Sequence, residues 1–384
     1  MNKAMLKALI KARIFTGDQW LENQALLFEK SRIQALVPEE EVPDDIERQD
    51  LKGQYLVPGL IDTQVNGGGG VLFNETPELK GLQTLMTAHR RFGTTGLLPT
   101  LISDDRAVMA RALEAVDSAL AEGLPGILGI HLEGPFLNPE RKGVHDEHKF
   151  QTLNETGFEL LTSLKRGRTL VTLAPELTRP EMIQRLVQAG VIVAAGHTAA
   201  SYDQTREALA AGLSSFTHLF NAMTPLTGRQ PGVVGAALED PNSWCGLIVD
   251  GYHVHPASLK VAIAAKPQGK MLLVTDAMPS VGAEDKSFWL KGERIQAQGG
   301  RCATAEGTLA GSDLDMLSAV RNSVHWLGLP LAEALRMASL YPAQMLGLDG
   351  ELGRLAPGYR ASMIALDPDL KLTHSWIDGQ PDQG

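Results

Sequence analysis

Four residues able to ligate a metal or move a proton each stand at the end of a short apolar run: Glu133 in IHLEGP, His197 in AAGHT, His218 in FTHLFNAM and Asp276 in LVTDAM. Glu, His and His with one position left open form a common catalytic zinc set. Imidazole and carboxylate suit a divalent ion of intermediate softness, and the open position admits water. Such an ion lowers the pKa of water from about 15.7 towards 7 and so supplies hydroxide near neutrality. Taken singly, each residue reads as a buried, hydrogen-bonded group at a strand end. Four of them at the ends of four different strands point to a site. Asp276 suits a general base that takes the water's proton and returns it to a departing amine, the step without which an amide does not cleave. Its other readings are a helix N-cap or a fourth ligand.

Further histidines surround this set. His131 lies two residues before Glu133, on the same face of its strand but deeper, which favours packing or support of the ligands. His145 (KGVHDEH) and His253 (DGYHVH) fall in loops that could reach a substrate carbonyl or hydroxyl. His148 and His255 stand beside them, and spacing alone does not choose.

The elements that would position these residues repeat. Between Leu56 and Ala277 there are eight short apolar runs bounded by turn residues: 56–65, 95–101, 127–133, 170–174, 191–197, 214–219, 246–250 and 271–276. The segments between them, such as PEMIQRLVQAG and SYDQTREALAAG, carry apolar residues three and four apart and end on glycine, as amphipathic helices do. Strand then helix, repeated eight times, predicts an α/β fold of the (β/α)₈ TIM-like barrel type, whose active sites lie at the C-terminal ends of the strands. The flanks differ: 8–56 alternates like β structure and 353–379 shows short β runs between Gly/Pro turns. Each is too small to fold alone. The economical arrangement is a small β domain made by both termini, residues 1–56 with 355–384, beside a hydrolase barrel of residues 57–354.

Bulk properties agree. The 384 residues accommodate a barrel of roughly 250 residues plus a satellite. Hydrophobic and charged fractions of 43% and 21% are ordinary for a globular chain, and no segment approaches the roughly 18 uninterrupted apolar residues of a membrane span. The opening MNKAMLKALIKARIF is interrupted by Lys3, Lys7 and Lys11, so it reads as a first strand rather than a signal peptide. Cys245 and Cys302 are too few for a disulfide framework, and a cytoplasmic location follows as the simplest expectation. A net charge of −10 without basic clusters argues against nucleic acid as a partner. An anionic substrate would have to be held by a few local positive groups.

PGLIDTQVNGGGG, LPTLIS, HLEGPFLNPERKGVH, LAPE, GHT, THLFNAM, GRQPGVVGA, DGYHV, VTDAM and LAGS are spread between Pro58 and Ser312. In these motifs the chain resembles the N-acetylglucosamine-6-phosphate deacetylases of the amidohydrolase superfamily. HLEGP with a following GH and THLFNAM is specific; PGxID alone indicates the wider superfamily. The resemblance implies metal binding by Glu133, His197 and His218, with Asp276 as the catalytic acid/base. It implies that His145 and His253 contact the sugar and polarise the acetyl carbonyl. Val144 is a further implied substrate contact, and Leu309, Ala310 and Gly311 line the acetyl-sugar pocket. Asn221, the backbone of Ala222, and Arg229 would hold the 6-phosphate, with Arg229 reaching in from a neighbouring subunit of a homodimer. A guanidinium grips phosphate bidentately, which makes that role physically sensible; by itself Arg229 reads as a solvated surface residue.

Most binuclear superfamily members carry His-x-His at the end of the first strand, where this chain has Gln64-Val65-Asn66. Neutral amides are poor ligands, so one divalent ion per subunit is expected, Zn²⁺ first, with Fe²⁺ or Co²⁺ as alternatives. Asp62 reads as structural. The implied reaction is hydrolysis of N-acetyl-D-glucosamine 6-phosphate to D-glucosamine 6-phosphate and acetate. The galactosamine epimer is the nearest rival. A non-catalytic, amidohydrolase-like assembly protein is the rival from another class, and it would be expected to lose the ligands that are all present here. A homodimer is the expected assembly, with a tetramer as its alternative.

Overall fold

The structure is a computed structural model and describes residues 6–382. By contacts the chain divides into two compact units. One holds the described parts of Met1–Ile61, Arg90–Gly96 and Met316–Gly384; the other holds Asp62–His89 and Leu97–Asp315.

The first unit is built on two sheets. A four-stranded sheet runs in the order Arg32–Pro38, Gln24–Glu29, Leu6–Ile10, Glu47–Asp50. A six-stranded sheet joins the two ends of the chain: Met363–Leu366 pairs antiparallel with Tyr55–Pro58, which pairs on its other edge, in parallel, with Arg13–Phe15. Neither terminal segment buries enough apolar surface alone, and together they enclose Ile14, Leu26, Phe28, Leu56, Met363 and Trp376. The opening segment, expected as one strand, begins in residues 1–5, outside the described residues. The rest of it forms two strands, Leu6–Ile10 and Arg13–Phe15, in different sheets. Helices Met316–His325, Leu331–Ala338 and Leu340–Met345 belong to the same unit.

The second unit contains nearly all of the barrel. Eight parallel strands follow one another in chain order: Leu60–Val65, Thr94–Ile102, Gly129–Glu133, Arg168–Leu173, Ile192–Ala195, Ser215–Phe216, Trp244–Leu247 and Met271–Leu273. The ring closes just past the last strand, where Asn66 N donates to Ala277 O at 3.0 Å and Asp276 N donates to Gln64 O at 3.0 Å. Each of the eight expected runs contributes one strand to this sheet. The first expected run, 56–65, is in fact two strands in two sheets, because the chain is broken at Gly59. A Cβ there would lie 1.9 Å from Thr95 Oγ1, so only glycine allows the crossing.

The amphipathic segments are helices Pro180–Gln188 and Tyr202–Ala210, followed by Gly190 and Gly212 in the left-handed region. Ser201 and Gln204 cap the second reciprocally. One feature was not foreseen: after the last barrel strand the chain forms a four-stranded antiparallel sheet, Ser287–Leu290, Glu293–Gln298, Arg301–Ala303 and Leu309–Ser312. Its apolar face (Phe288, Leu290, Ile295, Ala310) packs with Ile102 and Met278. Among the described residues no helix is long and apolar enough to cross a membrane.

Candidate active site

Three of the four strand-end residues share a backbone feature. His197 (φ 47°), His218 (φ 35°) and Asp276 (φ 53°) all sit in the left-handed region, two or three residues past the end of their strands. Non-glycine residues pay for this conformation, and it persists where surrounding bonds determine it. Here Asn138 N donates to His197 O at 2.9 Å, and Ser312 N to Asp276 O at 2.9 Å. The turn brings side chains from distant strand ends together.

Glu133, His197 and His218 converge as a buried set of candidate metal ligands. His218 Nε2 lies 3.1 Å from both Glu133 Oε1 and His197 Nε2, and His197 Nε2 lies 3.3 Å from Glu133 Oε1. Ligands about 2.0–2.1 Å from a tetrahedral zinc are about 3.3 Å from one another, so the three atoms already have the spacing of one tetrahedral face. His197 Nδ1–H donates to Arg141 O at 2.7 Å, which leaves the Nε2 lone pair for a metal. The donor set fits one divalent ion.

At the position of the missing histidine pair, the two amides have other partners. Asn66 Nδ2 donates to Asp276 Oδ1 at 2.6 Å; Gln64 Nε2 reaches the same oxygen at 3.2 Å and both Glu133 oxygens at 3.3 Å. Burial, followed by the neighbouring Glu133 charge, raises the Asp276 carboxyl above its ordinary value. Asp62 is fully buried and pushed up to about 7, with burial the dominant cause. It accepts from Thr275 Oγ1 at 2.5 Å and from Gln64 N at 3.1 Å, and so ties the first strand to the last.

The histidine pairs separate clearly. His145 is buried. Ser103 N donates to its Nδ1 at 3.3 Å, making that atom the acceptor and leaving a proton on Nε2, which lies 4.0 Å from Glu133 Oε1. Burial holds its pKa well below the ordinary histidine value, so the ring is neutral. His253 Nδ1 donates to Asp250 Oδ2 at 2.6 Å. His148 is exposed, and His255 caps helix Pro256–Ala265 through Ala257 N. His131 is buried between Thr100 and Thr172, its Nε2 2.7 Å from Thr172 Oγ1, and burial pushes it down to about 4.

A cavity of about 250 Å³ opens over this group. Of the residues expected to touch substrate, Val144, His145, Asn221, Ala222, His253, Leu309 and Gly311 line it, beside Glu133, His197, His218 and Asp276. Ala310 lies in the same strand but turns into the apolar cluster of the small sheet. Arg229 is not brought to the cavity; it is exposed on the 225–230 loop and borders a separate groove with Arg141 and Tyr202. Sequence reasoning missed the Asn66 and Gln64 contacts to Asp276, the Ser103 contact to His145, and Asp250. The last left a trace, since Asp three residues before His in DGYH is the spacing of a side chain that bonds the next turn.

The chain matches the Amidohydrolase family over residues 55–383 and the NagA composite domain over residues 7–56. It is 44% identical over 330 residues to an N-acetylgalactosamine-6-phosphate deacetylase of Shewanella sp. (strain ANA-3), covering 86% of this chain and 84% of that protein. It is 34% identical over 379 residues to an N-acetylglucosamine-6-phosphate deacetylase of Haemophilus influenzae, covering 98% and 99%. Among solved structures, N-acetylglucosamine-6-phosphate deacetylase from Pasteurella multocida superposes with a TM-score of 0.95 at 36% identity, covering 99% of this chain and 100% of that one.

Proposed function

Since the chain belongs to the amidohydrolase family, we propose that it hydrolyses N-acetyl-D-glucosamine 6-phosphate to D-glucosamine 6-phosphate and acetate. The observation that carries this reading is the buried Glu133–His197–His218 set, with Asp276 facing the same cavity. A divalent ion held there would acidify water and polarise a carbonyl. Zn²⁺ is the first choice for such ligands, with Fe²⁺ and Co²⁺ as alternatives. Asp276 takes a proton from the attacking water and delivers it to the amine as the C–N bond breaks. His145, neutral with its proton on Nε2, is a donor for the acetyl oxygen, and the Leu309–Gly311 segment with Val144 walls the acetyl side.

His253 contacts the sugar beside His145, and for the phosphate the reading uses Asn221 and the Ala222 backbone, completed by Arg229 from a second copy of the chain. The exposed position of Arg229 supports this, because within its own chain it borders a different groove. A homodimer is therefore part of the proposal, with a tetramer as an extension of it, and so is a cytoplasmic location. The division into a catalytic part, 57–354, and a small β domain, 1–56 with 355–384, is likewise part of the proposal; the family match itself runs from residue 55 to residue 383, and the compact unit that holds the terminal sheets takes in Met316–Gly384.

The galactosamine epimer is a second reading, favoured by the higher identity, 44% against 34%, to the Shewanella protein. Steady-state kcat/KM on the two phosphorylated epimers and on unphosphorylated N-acetylglucosamine separates the cases. A preference for the phosphorylated gluco sugar supports the proposal, a preference for the galacto form replaces it, and equal use of the unphosphorylated sugar removes the phosphate from the reading.

A further inference from the structure

We propose that Asn66 has two partners in the reaction: its Nδ2 holds Asp276, and its Oδ1 accepts the N–H of the scissile acetamido group. The inference rests on the deacetylation reading above.

Asn66 is 2% exposed and lines the same cavity as Glu133, His218 and Asp276. Its backbone is fixed on both sides: N donates to Ala277 O at 3.0 Å, and O accepts from Phe73 N at 2.9 Å. Its Nδ2 lies 2.6 Å from Asp276 Oδ1. An ionised carboxylate only accepts, so this contact sets which end of the amide is which. The acceptor end, Oδ1, is then buried with no hydrogen-bond partner among the described residues. Buried carbonyl oxygens are rarely left bare, because the water they lose must be replaced. A donor entering the cavity satisfies it.

The reacting atoms decide which donor that is. Of the acetyl carbon, its oxygen and the nitrogen, only the nitrogen carries a hydrogen; the attacking water, the other hydrogen carrier, is common to amide and ester substrates, so the two are separable by experiment. That nitrogen must also come within hydrogen-bond reach of Asp276, which protonates it, and the Asn66 amide is bonded to Asp276 already. Both amides, Gln64 and Asn66, act on Asp276 Oδ1, leaving Oδ2 outside their clamp for proton transfer. With the N–H held by Asn66, the nitrogen lone pair that forms after water attack is turned towards Asp276. Water adds its oxygen to the acetyl carbon and gives one proton to Asp276. The C–N bond then breaks with its electron pair going to nitrogen, and Asp276 returns that proton to nitrogen. The products are the free amine and acetic acid, which ionises at neutral pH.

The test compares two substrates, the natural 2-acetamido sugar phosphate and its 2-O-acetyl ester analogue, which lacks the N–H. Both require water activation by Asp276. Asn66→Ala should lower kcat on both substrates by loosening Asp276, and on the amide about 10- to 100-fold more than on the ester, the range for one further hydrogen bond to a charging group. Equal losses on both substrates would mean that Asn66 only places Asp276; no loss on either would mean that it does neither. Both results overturn the inference. A structure of the wild-type protein with D-glucosamine 6-phosphate gives a reading independent of any variant's folding. The amine nitrogen should lie within about 3.2 Å of Asn66 Oδ1, and a separation beyond hydrogen-bond range overturns the proposal. Failure of the wild type to release acetate from either epimer would sink the deacetylation reading itself, whereas release without the Asn66 signature would sink this inference alone.

Discussion

His253 owes its orientation to Asp250, which accepts from its Nδ1 at 2.6 Å and from the backbone of Tyr252 and His253 at 2.9 Å. Asp250→Asn preserves size and removes the charge-assisted bond, so kcat/KM on the phosphorylated sugar should fall about tenfold, while thermal unfolding shifts little. An unchanged rate would detach His253 from substrate. His89 supplies a pH test of the fold. It is fully buried, donates from Nε2 to Gly67 O at 2.9 Å, and burial lowers its pKa below 6.5. The unfolded chain therefore takes up a proton near pH 6.5 that the native protein still refuses. The contribution of His89 to stability is fully present above that pH and is lost as pH falls towards the lower native value. Urea unfolding across this window should show a smaller acid loss in His89→Gln than in the wild type. At this scale the sequence made Glu133, His197, His218 and Asp276 legible, because each follows an apolar strand. The Asn66 contact was hidden, since 210 residues separate it from Asp276 and only barrel closure joins them.

The strands and the longer helices follow from local pattern, and their periodicity was readable. What periodicity could not carry was the break at Gly59, which depends on Thr95 of the next strand, or the left-handed turns at His197, His218 and Asp276, which have no glycine to announce them. The small sheet of residues 287–312 was hidden for another reason: its strands are short and half-exposed, with an imperfect alternation of apolar and polar residues. Its last strand matters to the site through Gly311, at φ +60°, where a Cβ would lie 2.5 Å from Met278 Cγ and 2.8 Å from Asp276 O. Gly311→Ala must push the backbone that carries Asp276. It should cost about 1–3 kcal/mol in chemical unfolding and lower kcat more than it raises KM. Unaltered kinetics would show that this strand does not help to place the carboxylate.

For the molecule as a whole, the pairing of the two chain ends was expected, because neither flank has a core of its own; the Met363–Leu366 to Tyr55–Pro58 register realises it. Assembly beyond one chain makes a separate demand. If Arg229 serves a neighbouring subunit, Arg229→Ala and Asp276→Asn chains, each inactive alone, should regain up to about a quarter of wild-type turnover when refolded together, because mixed dimers then carry one intact site. No recovery would place Arg229 in its own chain or outside the reaction.

In the proposed reaction one ion on Glu133, His197 and His218 works with Asp276 on an acetamido sugar phosphate. The decisive measurement is acetate release from N-acetyl-D-glucosamine 6-phosphate while metal-free protein is titrated with Zn²⁺. Activity should rise in proportion to bound ion and level off at one per chain. Asp276→Asn should bind the ion equally and turn over about 10²–10⁴-fold more slowly. Activity that needs a second ion, or that survives in Asp276→Asn, would contradict the account.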